Sequence, residues 1–241
     1  MLHIAVINKS KLVTPSDVAT MTMACHIQLQ HDAAPLWGSL PVPVTFYQDD
    51  AHAPQDVSPI YIFDTADEAG ALGYHTEDSK GRVYGKVFAK DLLAQGAKAL
   101  TGADSIASVL SHEVLELWGD PNVNRWAEAP NGRLYAIELC DPVEADWYNI
   151  TVGTNVVSVS NFILPAWFDD SPPKGAKVDF MGRIHAPFSM SKGGYVAYRS
   201  GGVEHQTFAR KLTLEYGEAY PEWRKPGKGH AAARTNRRSK K

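Results

Sequence analysis

Apolar positions along the chain fall mostly into short runs, with one stretch of sustained helical spacing. HIAVIN (residues 3–8) is a β-branched apolar run and predicts a strand. Pro15 and Ser16 open a pattern of Val18, Met21, Cys25, Ile27 and Leu29 that predicts a helix ending near His31 to Pro35. PVPVTFYQ (41–48) and SPIYIFDT (58–65) predict strands joined by a polar, Pro-containing turn. The Gly-rich stretch GALGYHTEDSKG is taken as a connection into RVYGKVFAK. There Val83, Gly85 and Val87 alternate with Tyr84, Lys86 and Phe88, the pattern of an edge or half-exposed strand. In SVLSHEVLELWGDPNVNRW, Ile106, Leu110, Val114 and Leu117 form one helical stripe, with Thr101 or Asp104 as cap and Gly119 and Pro121 as stop. RLYAIELCDPV and TVGTNVVSVSNFILPAWF predict two more strands, the second leaving through Pro-Ala-Trp-Phe. Residues 169–210 are rich in Gly and Ser and predict no definite element, and no internal repeat is visible.

The order predicts an α+β fold, one long helix behind a mixed sheet, followed by a smaller irregular or β lobe. Three segments are expected: a core over 1–168, a lobe over 169–224 and a basic tail over 225–241. The chain has 241 residues, 44% hydrophobic and 21% charged, ordinary for a soluble globular protein. It has no apolar run long enough for a membrane span, and its start is too polar for a signal peptide, so a soluble protein of the cytoplasm or of a virion is expected, with no membrane partner. Cys25 and Cys140 stand far apart without a partner motif and are read as two buried thiols. The net charge of −3 conceals an asymmetry. No acid follows Glu222, whereas eight of the 24 basic residues do, leaving a body of about −11 and a tail of about +8. The tail's composition predicts disorder and admits contact with nucleic acid or an acidic protein surface.

The candidate chemistry sits inside the long helix. At about 100° per residue, His112 and Glu116 project about 40° apart and one turn from each other, so both reach one point in space. Imidazole and carboxylate both ligate zinc and similar ions. Glu113 projects beside that row, where a carboxylate can act as general base on metal-bound water. Val, Leu and Trp surround these residues, so the helix is expected to be largely buried. Buried carboxylates require a cation, which is either a metal or a basic side chain. Asp120 continues the row, and YAIELCDPVEAD brings Glu138 and Asp141. A third ligand comes from Glu138, Asp141 or Asp120, and the residues alone leave that choice open. Asp120-Pro121 and Asp141-Pro142 are also ordinary turn starters.

SHEVLELWGDP, followed by YAIELCDPVEADWY and VSVSNFILPAWF, resembles a group of phage and bacterial proteins with a zincin-like metallopeptidase core. The likeness covers approximately residues 1–170. Glu116 replaces the second histidine of typical zincins, and Asn122 stands where a third metzincin histidine would fall. The resemblance implies a zincin-like mixed sheet whose antiparallel edge strand lies above the metal helix and binds extended peptide. RVYGKVFAK holds the matching place in the order, which assigns substrate contacts to Tyr84, Lys86 and Phe88. It implies a peptide or protein substrate and zinc, with calcium or magnesium as alternatives if several carboxylates converge. The alternative function is a virion or assembly protein that keeps the fold as a scaffold among other virion proteins.

Overall fold

The structure, a computed structural model, describes residues 2–68, 70–102 and 104–209. The basic segment 225–241 and residues 210–224 of the expected lobe lie outside the described residues.

Strands β1 (Ile4–Asn8), β2 (Val44–Tyr47), β3 (Ser58–Phe63), β4 (Gly73–Glu77) and β5 (Val83–Phe88) form one five-stranded mixed sheet in the order β2-β1-β3-β5-β4. The first four in that order run parallel, and β4 is antiparallel to β5. β1 lies inside the sheet, between β2 and β3, and is almost wholly buried, as its unbroken IAVI run requires of a parallel strand covered on both faces. The expected antiparallel edge strand is therefore present, but it is β4, from the stretch read as a connection. RVYGKVFAK becomes the inner strand β5. The turn Asp78–Gly81 closes this hairpin: Asp78 donates its amide to the Arg82 carbonyl at 2.9 Å, and Gly81 takes a φ of +77° that a side chain would strain.

Helix α1 (Pro15–Ile27) starts where expected, with Pro15 in its first turn and Thr14 accepting the Asp17 amide. It continues through a π-helical turn over Gln28–Ala33 into α2 (Ala34–Leu36), which matches the expected end. A short α3 (Ala89–Ala94) follows β5 directly. The long helix is α4 (Ile106–Gly119), and its cap is Ser105, whose hydroxyl accepts the Ser108 amide, rather than Thr101 or Asp104. All 14 of its residues are buried, because α1, β4, β5 and the later strand Asn155–Ser160 pack around it. It ends at Gly119, where a Cβ would stand 2.8 Å from the Leu139 side chain.

The remaining strands make two further sheets. β8 (Trp147–Val152) and β9 (Asn155–Ser160) form a hairpin turned at Gly153, so the expected single strand from Thr151 is split by that turn. β6 (Trp126–Glu128), β7 (Leu134–Ala136), β10 (Tyr195–Ser200) and β11 (Val203–Phe208) pair in the order β11-β10-β7-β6. The β10–β11 hairpin lies in the stretch that predicted no definite element. Its pairing with β7, at Tyr198 with Tyr135 and Arg199 with Leu134, crosses the boundary expected at residue 168. One hydrophobic core runs from Ile4 to Val196 across that boundary. No helix among the described residues is long and apolar enough to cross a membrane.

Candidate metal centre

The α4 stripe that buries Ile106, Leu110, Val114 and Leu117 leaves His112, Glu113 and Glu116 on the helix surface facing β4 and the chain after β7. His112, Glu113, Glu116, Glu138 and Asp141 are each at most 2% exposed. His112 and Glu116 meet as the one-turn spacing predicts, with Nε2 3.1 Å from Oε1. The same Nε2 lies 3.4 Å from Asp141 Oδ1, which selects Asp141 from the three candidates as the residue beside this pair.

Asp141 is fixed from the chain beyond residue 168. It opens a 3-10 turn over Asp141–Val143, whose Pro142 carbonyl accepts the Ser191 amide at 2.9 Å. Gly194 lies so close that a Cβ there would stand 2.2 Å from the same carbonyl oxygen. The Asp-Pro pair is thus both a turn starter and a site residue.

His75 is a further residue of the site, one that the sequence pattern does not single out. It sits in β4 opposite Gly85 and points to the α4 face, 5% exposed, with Nδ1 3.5 Å from Glu113 Oε2 and 3.5 Å from Glu116 Oε2. Its Nε2 faces Glu138 Oε2 at 3.7 Å. Gly73, two residues earlier on the same strand face, makes this approach feasible: a Cβ there would stand 2.8 Å from Glu113 Oε1 and 3.0 Å from Val109 Cγ1. The overlooked signals were the five-residue alternation in GYHTE and the Asp-Ser-Lys-Gly turn that follows it.

His75, Glu113 and Glu116 form one group, and His112, Glu116 and Asp141 another; within each group the potential ligand atoms lie within 4.8 Å of one another. Each group can hold a metal ion. Ligands about 2.1 Å from a tetrahedral zinc stand about 3.4 Å from each other, close to the 3.1–3.5 Å that separate these imidazole nitrogens and carboxylate oxygens. Burial pulls both imidazoles toward neutrality, but the neighbouring carboxylates outweigh it. His75 is raised by Glu138, Glu113 and Glu116, and His112 is raised well above its ordinary value by Glu116 and Asp141.

Asp120 lies outside both groups. It caps the end of α4, and its carboxylate accepts the amides of Asn124 at 3.0 Å and Arg125 at 3.1 Å, the role of a turn starter. Burial and the Glu138 charge raise its pKa, against the pull of those two amides. Glu138 touches the His75 side of the cluster.

The expected substrate contacts, Tyr84, Lys86 and Phe88, all lie on β5. Their alternates Val83 and Val87 belong to the main core, so these three project from the opposite face of β5, away from α4. Phe88 is buried against Tyr74 and Ala71. Lys86 pairs with Asp67 and lies over the rings of Phe63, Tyr74 and Tyr84. Cys25 and Cys140 are both buried thiols, as expected.

Comparison with protein-family models, with curated proteins and with solved structures finds no match for this chain.

Proposed function

We propose that the protein is a metal-dependent hydrolase acting on peptide bonds, with a zincin-like arrangement of helix and antiparallel edge strand. His112, Glu116 and Asp141 hold the catalytic ion and Glu113 is the general base. The observation that carries this reading is the convergence of an imidazole and two carboxylates, from a helix and a distant turn, on one buried point with separations that suit zinc. Imidazole ligands favour zinc or a neighbouring first-row ion over calcium or magnesium. The bound ion would lower the pKa of a water and polarise the scissile carbonyl. Glu113, one residue along the helix from His112, would take a proton from that water and deliver it to the leaving amine. Because β4 is outermost among the described strands of its sheet, an extended peptide would lie along β4 rather than β5.

Elemental analysis of protein purified without chelators tests the reading. It requires at least one equivalent of metal per chain, and a Glu113→Gln variant that keeps metal at the His112 group while losing at least about a hundredfold in cleavage of a peptide library. A metal-free protein overturns it. A metal-loaded protein with no cleavage activity supports the alternative, a virion or assembly scaffold whose metal is structural.

A further inference from the structure

We infer that the centre takes two metal ions, bridged by Glu116, with His75 and His112 as imidazole ligands of different ions. The inference rests on the metal-site reading above and extends it to a second ion. The two oxygens of Glu116 face different imidazoles: Oε1 lies 3.1 Å from His112 Nε2, and Oε2 lies 3.5 Å from His75 Nδ1. A carboxylate used in this way is a bridge, and paired catalytic ions stand about 3.5–4 Å apart. The two ligand groups share Glu116 and nothing else, so each imidazole belongs to its own triad. The His75 triad has a built approach, since only a glycine at position 73 leaves room for Glu113 against β4. Glu138 stands 3.7 Å from the far nitrogen of His75, the side on which a carboxylate commonly backs a ligating histidine.

Charge supports two ions over one. Glu113, Glu116, Glu138 and Asp141 all face the two imidazoles within 3.7 Å. Two divalent cations balance four buried carboxylates, whereas one leaves half of that charge. In the two-ion form Glu113 is a ligand of the second ion, so its general-base role belongs to the form that holds only the His112 ion.

The full chain is stripped with a chelator, dialysed, and titrated with Zn²⁺ by calorimetry and elemental analysis. A parallel Mn²⁺ loading is read by electron paramagnetic resonance. Two equivalents are expected in the wild type, with exchange-coupled Mn²⁺. One equivalent is expected in His75→Ala and one, uncoupled, in His112→Ala, with circular dichroism confirming that both remain folded. One equivalent in the wild type overturns the pair and leaves the single-ion hydrolase standing. No bound metal overturns both readings. Two equivalents that persist in His75→Ala, or two uncoupled Mn²⁺ ions in the wild type, place the second ion elsewhere and also overturn the inference. The wild-type stoichiometry and spectrum decide the matter even if a variant fails to fold.

Discussion

His112 and His75 face opposite oxygens of the same carboxylate but reach it by different routes. His112 shares a helix with Glu116, so their meeting needs nothing beyond one turn of backbone hydrogen bonds. His75 meets Glu116 only because β4 pairs with β5, β5 with β3, and the sheet then packs on α4. The first contact persists wherever the helix forms; the second exists only in the folded molecule. One flank of the site is therefore local and robust, and the other reports on the tertiary structure.

The largest expected effect is at the shared residue. In chelated protein, Glu116→Ala removes the charge that both imidazoles face, and breaking such buried pairs costs about 3–5 kcal/mol. Denaturant unfolding measures that loss, and histidine resonances give its distribution. Both His75 and His112 are expected to titrate at lower pH in the variant. A shift confined to His112 would mean that the tertiary flank does not depend on Glu116.

The pH dependence separates protons from metal on the same residues. Both imidazoles are raised in the folded protein by their carboxylate neighbours. Their contribution to stability is therefore complete below the ordinary imidazole value of about 6.5 and is lost as pH rises through the raised values. Asp120, also raised, acts in the same direction at lower pH. Chelated protein should unfold at lower denaturant concentration at about pH 9 than at about pH 6. With saturating Zn²⁺ the trend reverses, because metal binding needs the imidazoles deprotonated. An unchanged trend in zinc would mean that no ion displaces those protons.

The difference between the flanks also explains what could be read before the fold was known. His112, Glu113 and Glu116 were legible because helical spacing is a property of neighbours in sequence. Asp141 was one of three candidates, since choosing it requires the Pro142 turn held by Ser191 and Gly194, far along the chain. His75 was not legible, and neither was the true edge of the sheet; both errors have one cause. With GYHTE taken as a connection, its histidine dropped out of the candidates, and β5, left without an outer neighbour, became the edge. Alternation in β5 was correctly half-exposed. It does not say what covers each face, which here is α4 on the valine side and the small cluster around Tyr74 and Phe88 on the other.

Gly73→Ala probes the tertiary flank alone. The added methyl would meet Glu113 Oε1 at 2.8 Å, the Lys86 carbonyl at 3.0 Å and Val109 at 3.0 Å, two of them poorly able to yield. Overpacking of this kind costs about 1–3 kcal/mol. It should move the His75 titration and weaken one metal equivalent while leaving His112 unchanged. Equal movement of both histidines would show that α4 shifts as a whole, and the two flanks would then be one mechanical unit.

The smallest effect is expected at Asp120, the residue that helical spacing alone would add to the His112 row. Asp120→Asn retains an oxygen to accept the Asn124 and Arg125 amides and removes a buried charge that Glu138 opposes. Stability should therefore stay within about 1 kcal/mol of the wild type, whereas Asp120→Ala, which leaves both amides without their acceptor, should lose about 1–3 kcal/mol. Metal stoichiometry should be the same in wild type and Asp120→Asn. If the asparagine variant instead loses an equivalent, Asp120 reaches an ion that the folded geometry gives to Asp141. The local row 112, 116, 120 would then define the site, and the partner supplied by the Pro142 turn would be secondary.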